Sequence, residues 1–295
     1  MATDHISACD DNNYNPRHLV YFDIFCETVN IGGKKILEIG GAVDPEKIGK
    51  FRPNSWTSID INARRFDECL GGRKLPVWYN AIVADATDMQ FSSESFDIVY
   101  TTDCFEHVSD LDAVLQESYR VLKPGGMFFS KFAPIWSGPV GHHLWVEHEG
   151  RVFTFNDDLI PNWGHLLNTR ESMEEFLCKK MPSELVRKIV AYMYDSNDIN
   201  RLFDFEFEAA LNGIGFERIV FLRLKSQKKL SEVTRSRLKS RYSKVIDFRT
   251  DGFFWLLAKP PIDLVTKLSA WFGLIKIIPK HYNIKKILRS ILRTK

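Results

Sequence analysis

Hydrophobic positions follow two rhythms along the 295-residue chain. Short, nearly unbroken apolar runs occur at Lys35–Ile39, Trp56–Ile61, Ala81–Ala84, Ser95–Thr102 and Met127–Phe132. Each ends within two residues of a glycine, an aspartate or a proline. Runs of this length without alternation are how strands buried on both faces read. The second rhythm is helical. Leu111, Val114, Leu115, Ser118, Val121 and Leu122 recur at the spacing of one helix face, and Lys123-Pro124-Gly125-Gly126 stops that helix and turns the chain. His18–Val29 predicts an aromatic-rich helix closed by Ile31-Gly32-Gly33, Glu46–Phe51 a short one, and Arg201–Leu211 a later one. Phe216–Leu224 and Phe253–Ala258 predict two closing strands. Strands recurring about every 20–30 residues, with helical or loop connections, predict a parallel, doubly wound α/β sheet.

In such sheets ligands bind outside the carboxyl ends of the strands. At those ends lie the turn Glu38-Ile39-Gly40-Gly41 and the acids Asp60, Asp85 and Asp103. Glycines suit a turn that takes positive φ and lets a ligand approach the backbone. An acid about 20 residues beyond such a turn is placed to accept hydrogen bonds from ribose hydroxyls, and Asp85 stands where it could meet an adenine amine. A nicotinamide-binding protein is the competing reading, but its G-x-G-x-x-G pattern is absent.

Five motifs in order sharpen this: ILEIGG (Ile36–Gly41), SIDI (Ser58–Ile61), VADATDMQF (Val83–Phe91), FDIVYTTDCFEHV (Phe96–Val108) and VLKPGG (Val121–Gly126). With them the chain resembles a class I S-adenosylmethionine-dependent methyltransferase of the small-molecule and glycan type, over residues 18–135 and again over 201–258. The resemblance implies a Rossmann-like, doubly wound seven-stranded sheet, mostly parallel with one antiparallel strand. It implies S-adenosyl-L-methionine as cofactor. Glu38 would engage the methionine amino group, partly through water; Gly40 and Gly41 would let the loop approach; Asp60, with Ile61, would bind the ribose diol; Asp85, with Ala86, the adenine. Asp103 and Cys104 would line the methionine end, and His107 would be an orienting residue there. The chain departs from the family at Ala42, where a third glycine is usual, and at the exit Asp44-Pro45.

Residues 134–200 break the strand rhythm and are rich in Trp, His, Pro and Asn, which predicts a substrate cap inserted after a strand end. Methyl transfer from a sulfonium needs alignment, and a hydroxyl acceptor also needs a base. Candidate bases are His142, His143 and His148, with His165 nearby in sequence; His142 or His143 with Glu147 or Glu149 would be a divalent-metal alternative, although the spacing matches no standard motif. Trp136, Trp145 and Trp163 either wall an acceptor site or form the cap's own core. The phrase FAPIWSGPVGHHLW is similar to methyltransferases of glycan assembly and favours O-methylation of a saccharide or other small polar hydroxyl compound.

Charge separates the chain into unequal parts. Residues 225–244 and 261–295 each hold eight Lys/Arg against one acid, 245–260 balance, and the total of +2 therefore leaves −12 on residues 1–224. An acidic body argues against non-specific nucleic-acid binding. The segment 261–295 is a basic amphipathic tail, with one stripe of Leu264, Leu268, Trp271, Phe272 and Ile275 and another of Ile284, Ile287, Leu288, Ile291 and Leu292. Its expected partner is an anionic membrane surface, making the acceptor lipid-linked, or else the acidic body. Residues 1–17 read as a polar leader, and five scattered cysteines without a CxxC pair predict a reduced, cytoplasmic setting. Two further readings compete: an NAD-dependent oxidoreductase, and a non-catalytic methyltransferase-fold subunit acting as a membrane-associated binding protein.

Overall fold

A computed structural model of the protein describes residues 16–277. The leader up to residue 15 and the second tail stripe, Ile284–Leu292, lie outside the described residues.

The first half runs α1 (Pro16–Thr28), β1 (Lys35–Ile39), α2 (Pro45–Gly49), β2 (Ser55–Asp60), α3 (Ala63–Leu70), β3 (Tyr79–Val83), β4 (Phe96–Thr102), α4 (Leu111–Val121) and β5 (Leu122–Phe132). The second half runs β6 (Trp145–His148), β7 (Arg151–Thr154), α5 (Gly164–Leu167), α6 (Arg170–Cys178), α7 (Ser183–Asp195), α8 (Asp204–Ala210), β8 (Glu217–Lys225), α9 (Glu232–Arg241), β9 (Thr250–Ala258) and α10 (Leu264–Ile277). Seven strands form one sheet in the order β3-β2-β1-β4-β5-β9-β8. Pairing is parallel from β3 to β5, and β9 runs antiparallel to both β5 and β8. The doubly wound sheet with one antiparallel strand is therefore present. Chain direction across the sheet reverses between β1 and β4, the switch point where ligands bind in open α/β sheets.

The sheet carries a core on each face. Phe22 and Phe25 of α1 pack on Trp56, Tyr100 and Phe129 on one side, with ring centroids 4.5–6.4 Å apart. On the other, Leu115 of α4 lies among Val99, Phe105, Phe128 and Trp255. Burying these apolar stripes is what holds α1 and α4 to the sheet.

Several predicted boundaries differ, among them β3, which runs from Tyr79 to Val83, and β9, which starts at Thr250. Lys123–Gly126 does not leave the sheet: β5 begins at Leu122, and the extra residues form a bulge between the pairs Phe96↔Leu122 and Ile98↔Met127, with Gly125 at φ +78°. The helix expected over Arg201–Leu211 starts at Asp204, because Asn200 and Arg201 use their side chains to bind neighbouring carbonyls instead. Ile61 lies just past β2 and is 73% exposed.

Residues 134–200 build a two-stranded sheet (β6–β7) and helices α5 to α7 around their own apolar cluster. That cluster also takes in Leu238, Val245 and Phe248, so the basic stretch between β8 and β9 is part of the same body. Trp163 Nε1 donates to the Phe248 carbonyl at 2.8 Å, and Arg241 donates to the Leu167 carbonyl at 2.6 Å. Trp136 and Trp163 are buried in this cluster and Trp145 packs partly against it, which favours core over acceptor wall.

Helix α10 docks on α1 through Ala270, Gly273 and Leu274; a Cβ at Gly273 would lie 2.5 Å from the Glu27 carbonyl oxygen. Its other face leaves Leu264, Val265, Leu268 and Phe272 47–73% exposed. Among the described residues, no helix is long and apolar enough to cross a membrane. Cys26, Cys104 and Cys178 are free thiols.

Candidate active site

The turn after β1 is built on Glu38. Its carboxylate is buried and accepts from the Val43 amide at 3.1 and 3.2 Å, from Trp56 Nε1 at 2.7 Å and from Ser58 Oγ at 2.5 Å. Burial pushes the Glu38 pKa up, while these three donors work against that rise and favour the anion. Glu38 thus ties residue 43 back over the turn and joins it to β2. Oε1, which among the described residues carries only the Val43 contact, keeps acceptor capacity.

Both glycines are required by close approach. Gly40 takes φ +72°, and a Cβ on it would lie 2.3 Å from Cys104 Sγ; a Cβ on Gly41 would lie 2.5 Å from Glu38 Oε1. The turn therefore closes directly on the loop after β4, across the switch point. Ala42 has no positive φ, which is why the usual third glycine is dispensable here. The exit is an ordinary helix start: Asp44 caps α2 through the Glu46 amide at 2.8 Å, with Pro45 at its first position.

Asp60 and Asp85 stand at the carboxyl ends of β2 and β3. Asp60 Oδ1 accepts from the Asn62 amide at 2.8 Å, and Asp85 Oδ1 accepts from the Thr87 amide and hydroxyl at 2.8 and 2.7 Å. These local bonds fix the direction of each carboxylate and leave Asp85 exposed, with Ala86 half-buried beneath it. Cys104 is held as a thiol: burial first, then the charges of Glu106 and Asp60, push its pKa up to about 12.

The end of β4 holds a second group of charges. Asp103, at φ +46°, pairs with the buried Lys131 of β5 at 2.6 Å. Lys131 Nζ also lies 4.4 Å from the centre of the Tyr21 ring. Burial disfavours its charge most, but Asp103, Tyr21 and Glu106 together outweigh that and raise the lysine pKa overall. Next to this pair is Glu106, 1% exposed. Burial, and then the Asp103 charge, raise its pKa well above the carboxyl range. Its neighbour His107 bonds through Nδ1 to the Asp198 carbonyl, and its ring centre lies 4.7 Å from that of His143. Asn200 clamps the same loop to the insertion, donating from its side chain to the Phe105 and Val108 carbonyls at 2.6 and 3.0 Å.

The three candidate bases part company. His143 reaches the β4 end, beside His107 and Phe155. His142, one residue earlier, points into the insertion: it is 2% exposed, accepts from the Leu144 amide at 3.2 Å and faces His165. Burial and then His165 push the His142 pKa well below its usual value. His148 ends β6, buried in the hairpin that packs on α7. Glu147 and Glu149 are exposed on that hairpin and do not join His143, which removes the metal site expected from them. Glu106 and Lys131 were missed at the sequence level. The one signal was Glu106 three residues after Asp103 and directly before His107; nothing marked Lys131.

Residues 45–130 match a protein-family model described as a methyltransferase domain. A 112-residue stretch is 34% identical to a sterol methyltransferase-like protein 1 of Botryococcus braunii, covering 35% of this chain and 29% of that one. A 119-residue stretch is 30% identical to a phthiotriol/phenolphthiotriol dimycocerosates methyltransferase of Mycobacterium tuberculosis, covering 39% and 43%. The chain thus spans less than half the length of these curated relatives. An S-adenosylmethionine-dependent methyltransferase of Mesorhizobium loti has the same fold at 13% identity, with a TM-score of 0.50 over 81% of this chain and 96% of the other. Residues 45–130 thus match a methyltransferase domain, and the chain has the fold of S-adenosylmethionine-dependent methyltransferases.

Proposed function

We propose that the protein transfers the methyl group of S-adenosylmethionine to a hydroxyl of a small acceptor. The observation that carries this is the turn Gly40–Gly41, closed on Cys104 across the switch point, with Asp60 and Asp85 at the two adjoining strand ends. This arrangement supports the donor along the carboxyl edge: methionine end over Gly40 and Gly41, ribose at Asp60 and Ile61, adenine at Asp85 and Ala86. Asp103 acts through its pairing with Lys131, as a strut beneath the methionine end. The acceptor enters from the insertion side, where of the three candidate histidines His143 alone reaches the β4 end, while His142 and His148 are structural.

A saccharide or other polar hydroxyl compound, lipid-linked, remains our preferred acceptor. The names of the relatives, on sterol and phthiotriol lipids, favour an acceptor with an apolar part. The open face of α10, followed in sequence by a basic amphipathic segment, supports docking at an anionic membrane surface. Titration calorimetry with S-adenosylhomocysteine tests the donor site: binding by the wild type and its loss in Asp60→Ala are expected. Heat with NAD instead would favour the oxidoreductase reading. Vesicle flotation tests the membrane: equal partitioning of Leu268→Glu/Phe272→Glu and wild type on anionic vesicles would end that part of the proposal.

A further inference from the structure

We infer that Glu106, His107 and His143 form a binding site for a first-row divalent cation, at the junction of the β4 end and the insertion. Ligand atoms of the three residues lie within 4.8 Å of one another. Around a cation with bonds of about 2.1 Å, ligand atoms stand roughly 3–4 Å apart, so only a small closure is needed. The set of two imidazoles and one carboxylate suits zinc, manganese, cobalt or iron.

Glu106 is the observation that asks for a ligand. It is almost wholly buried, and its carboxyl oxygens have no hydrogen bond of normal geometry among the described residues, only the backbone amides of Glu106 itself and Ala133 lying near enough to favour its charge. Lys131, the cation beside it, is already engaged by Asp103 at 2.6 Å. The unmet oxygens of Glu106 face the cluster that contains the two histidines.

His107 carries the outer support that metal-bound histidines have. The Asp198 carbonyl can only accept, so the bonded Nδ1 bears the proton, and Nε2 is the atom that would ligate. His143 comes from the loop after β5, in left-handed backbone at φ +49°, so the site exists only when the insertion is folded against the β4 loop. Asn200, bonded to the carbonyls on both sides of Glu106 and His107, holds that contact.

The role of the ion rests on the methyltransferase reading. Cys104, two residues before Glu106, touches the glycine turn, so the cation lies beside the methionine end of the donor. An acceptor hydroxyl bound to it loses its proton to solvent. The alkoxide oxygen then bonds the methyl carbon as the carbon–sulfur bond breaks, its electron pair going to sulfur. The ion supplies the lowered hydroxyl pKa, and His143 acts as ligand.

Cation binding is tested without donor or acceptor, so that its failure is separate from failure of the donor site. Tag-free wild-type protein is titrated with Mn²⁺ by calorimetry and with Co²⁺ by visible absorption. One ion per chain is expected, with affinity at least about tenfold weaker in Glu106→Gln and in His143→Asn. Asparagine tolerates the left-handed backbone at 143. S-adenosylhomocysteine affinity and melting temperature serve as controls in both variants and should hold. No stoichiometric uptake by the wild type, or wild-type affinity in His143→Asn, overturns the inference.

Discussion

The donor edge and the insertion solve opposite problems with polar groups. At and past the ends of β2 and β3 the carboxylates proposed to meet the donor stand near water and are aimed by bonds within two residues: Asp60 to Asn62, Asp85 to Thr87. In the insertion, polar side chains are buried and matched over long separations. Trp163 reaches Phe248, His165 reaches Trp136, and Asp204 at the start of α8 accepts from the amides of Ile246 and Asp247. The first region is built to exchange solvent for ligand. The second is built to exclude solvent and to hold one loop, His143 included, against the β4 end. A site formed where the two meet inherits rigidity from the insertion and openness from the sheet edge.

The largest expected effect separates the two bodies. Trp163→Ala removes a fully buried ring and its bond to Phe248, and should cost about 3–5 kcal/mol in urea unfolding. Affinity for S-adenosylhomocysteine should stay within a factor of about two under folding conditions, since additivity holds for independent sites. A large loss of affinity would show that the donor edge depends on the insertion.

A pH scan of stability comes next. Burial lowers the His165 pKa to about 4, with the Trp136 carbonyl acting against the shift. The folded-state pKa is below the unfolded one, so the stabilisation is present above pH ~6.5 and is lost as pH falls from there toward 4. The His165 part of the loss should reach about 3 kcal/mol by pH 4 and vanish in His165→Asn, which keeps the loss that the buried His142 contributes with the same sign. An unchanged slope in the variant would place the sensitivity elsewhere.

Asp60→Ala should weaken S-adenosylhomocysteine by ten- to a hundredfold, about 1.5–3 kcal/mol, with little change in melting temperature. A fall in melting temperature with intact affinity would recast Asp60 as only the turn residue that its bond to Asn62 makes it. The smallest effect belongs to α10. Phe272→Ser, at 62% exposure, should change stability by no more than about 0.5 kcal/mol while lowering vesicle binding.

What could be read from the chain alone followed the same division. KILEI, WTSID and FDIVYTT are strands because their apolar runs are short and unbroken, and Gly40, Gly41, Asp60 and Asp85 stand out because their jobs are local. The Asp44-Pro45 exit, which looked atypical, obeys ordinary capping rules. The insertion was visible only as a break in rhythm. Its alliance with residues 238–248 was hidden, since contacts across some 80 residues leave no periodic trace.

The sequence by itself therefore determined the sheet, the strand ends and the acids that stand at them, because buried strands and tight turns impose their chemistry on neighbouring residues. Tertiary structure alone decided where each histidine lies. His142 and His143 are adjacent and chemically identical, yet the left-handed backbone at 143 sends one ring to the β4 end while the other stays in the insertion core. It also decided the state of Glu106 and Lys131, whose burial and partners arise only when β4, β5 and the insertion close on each other. Burial and proximity set both outcomes, and neither is a property of a residue's place in the chain.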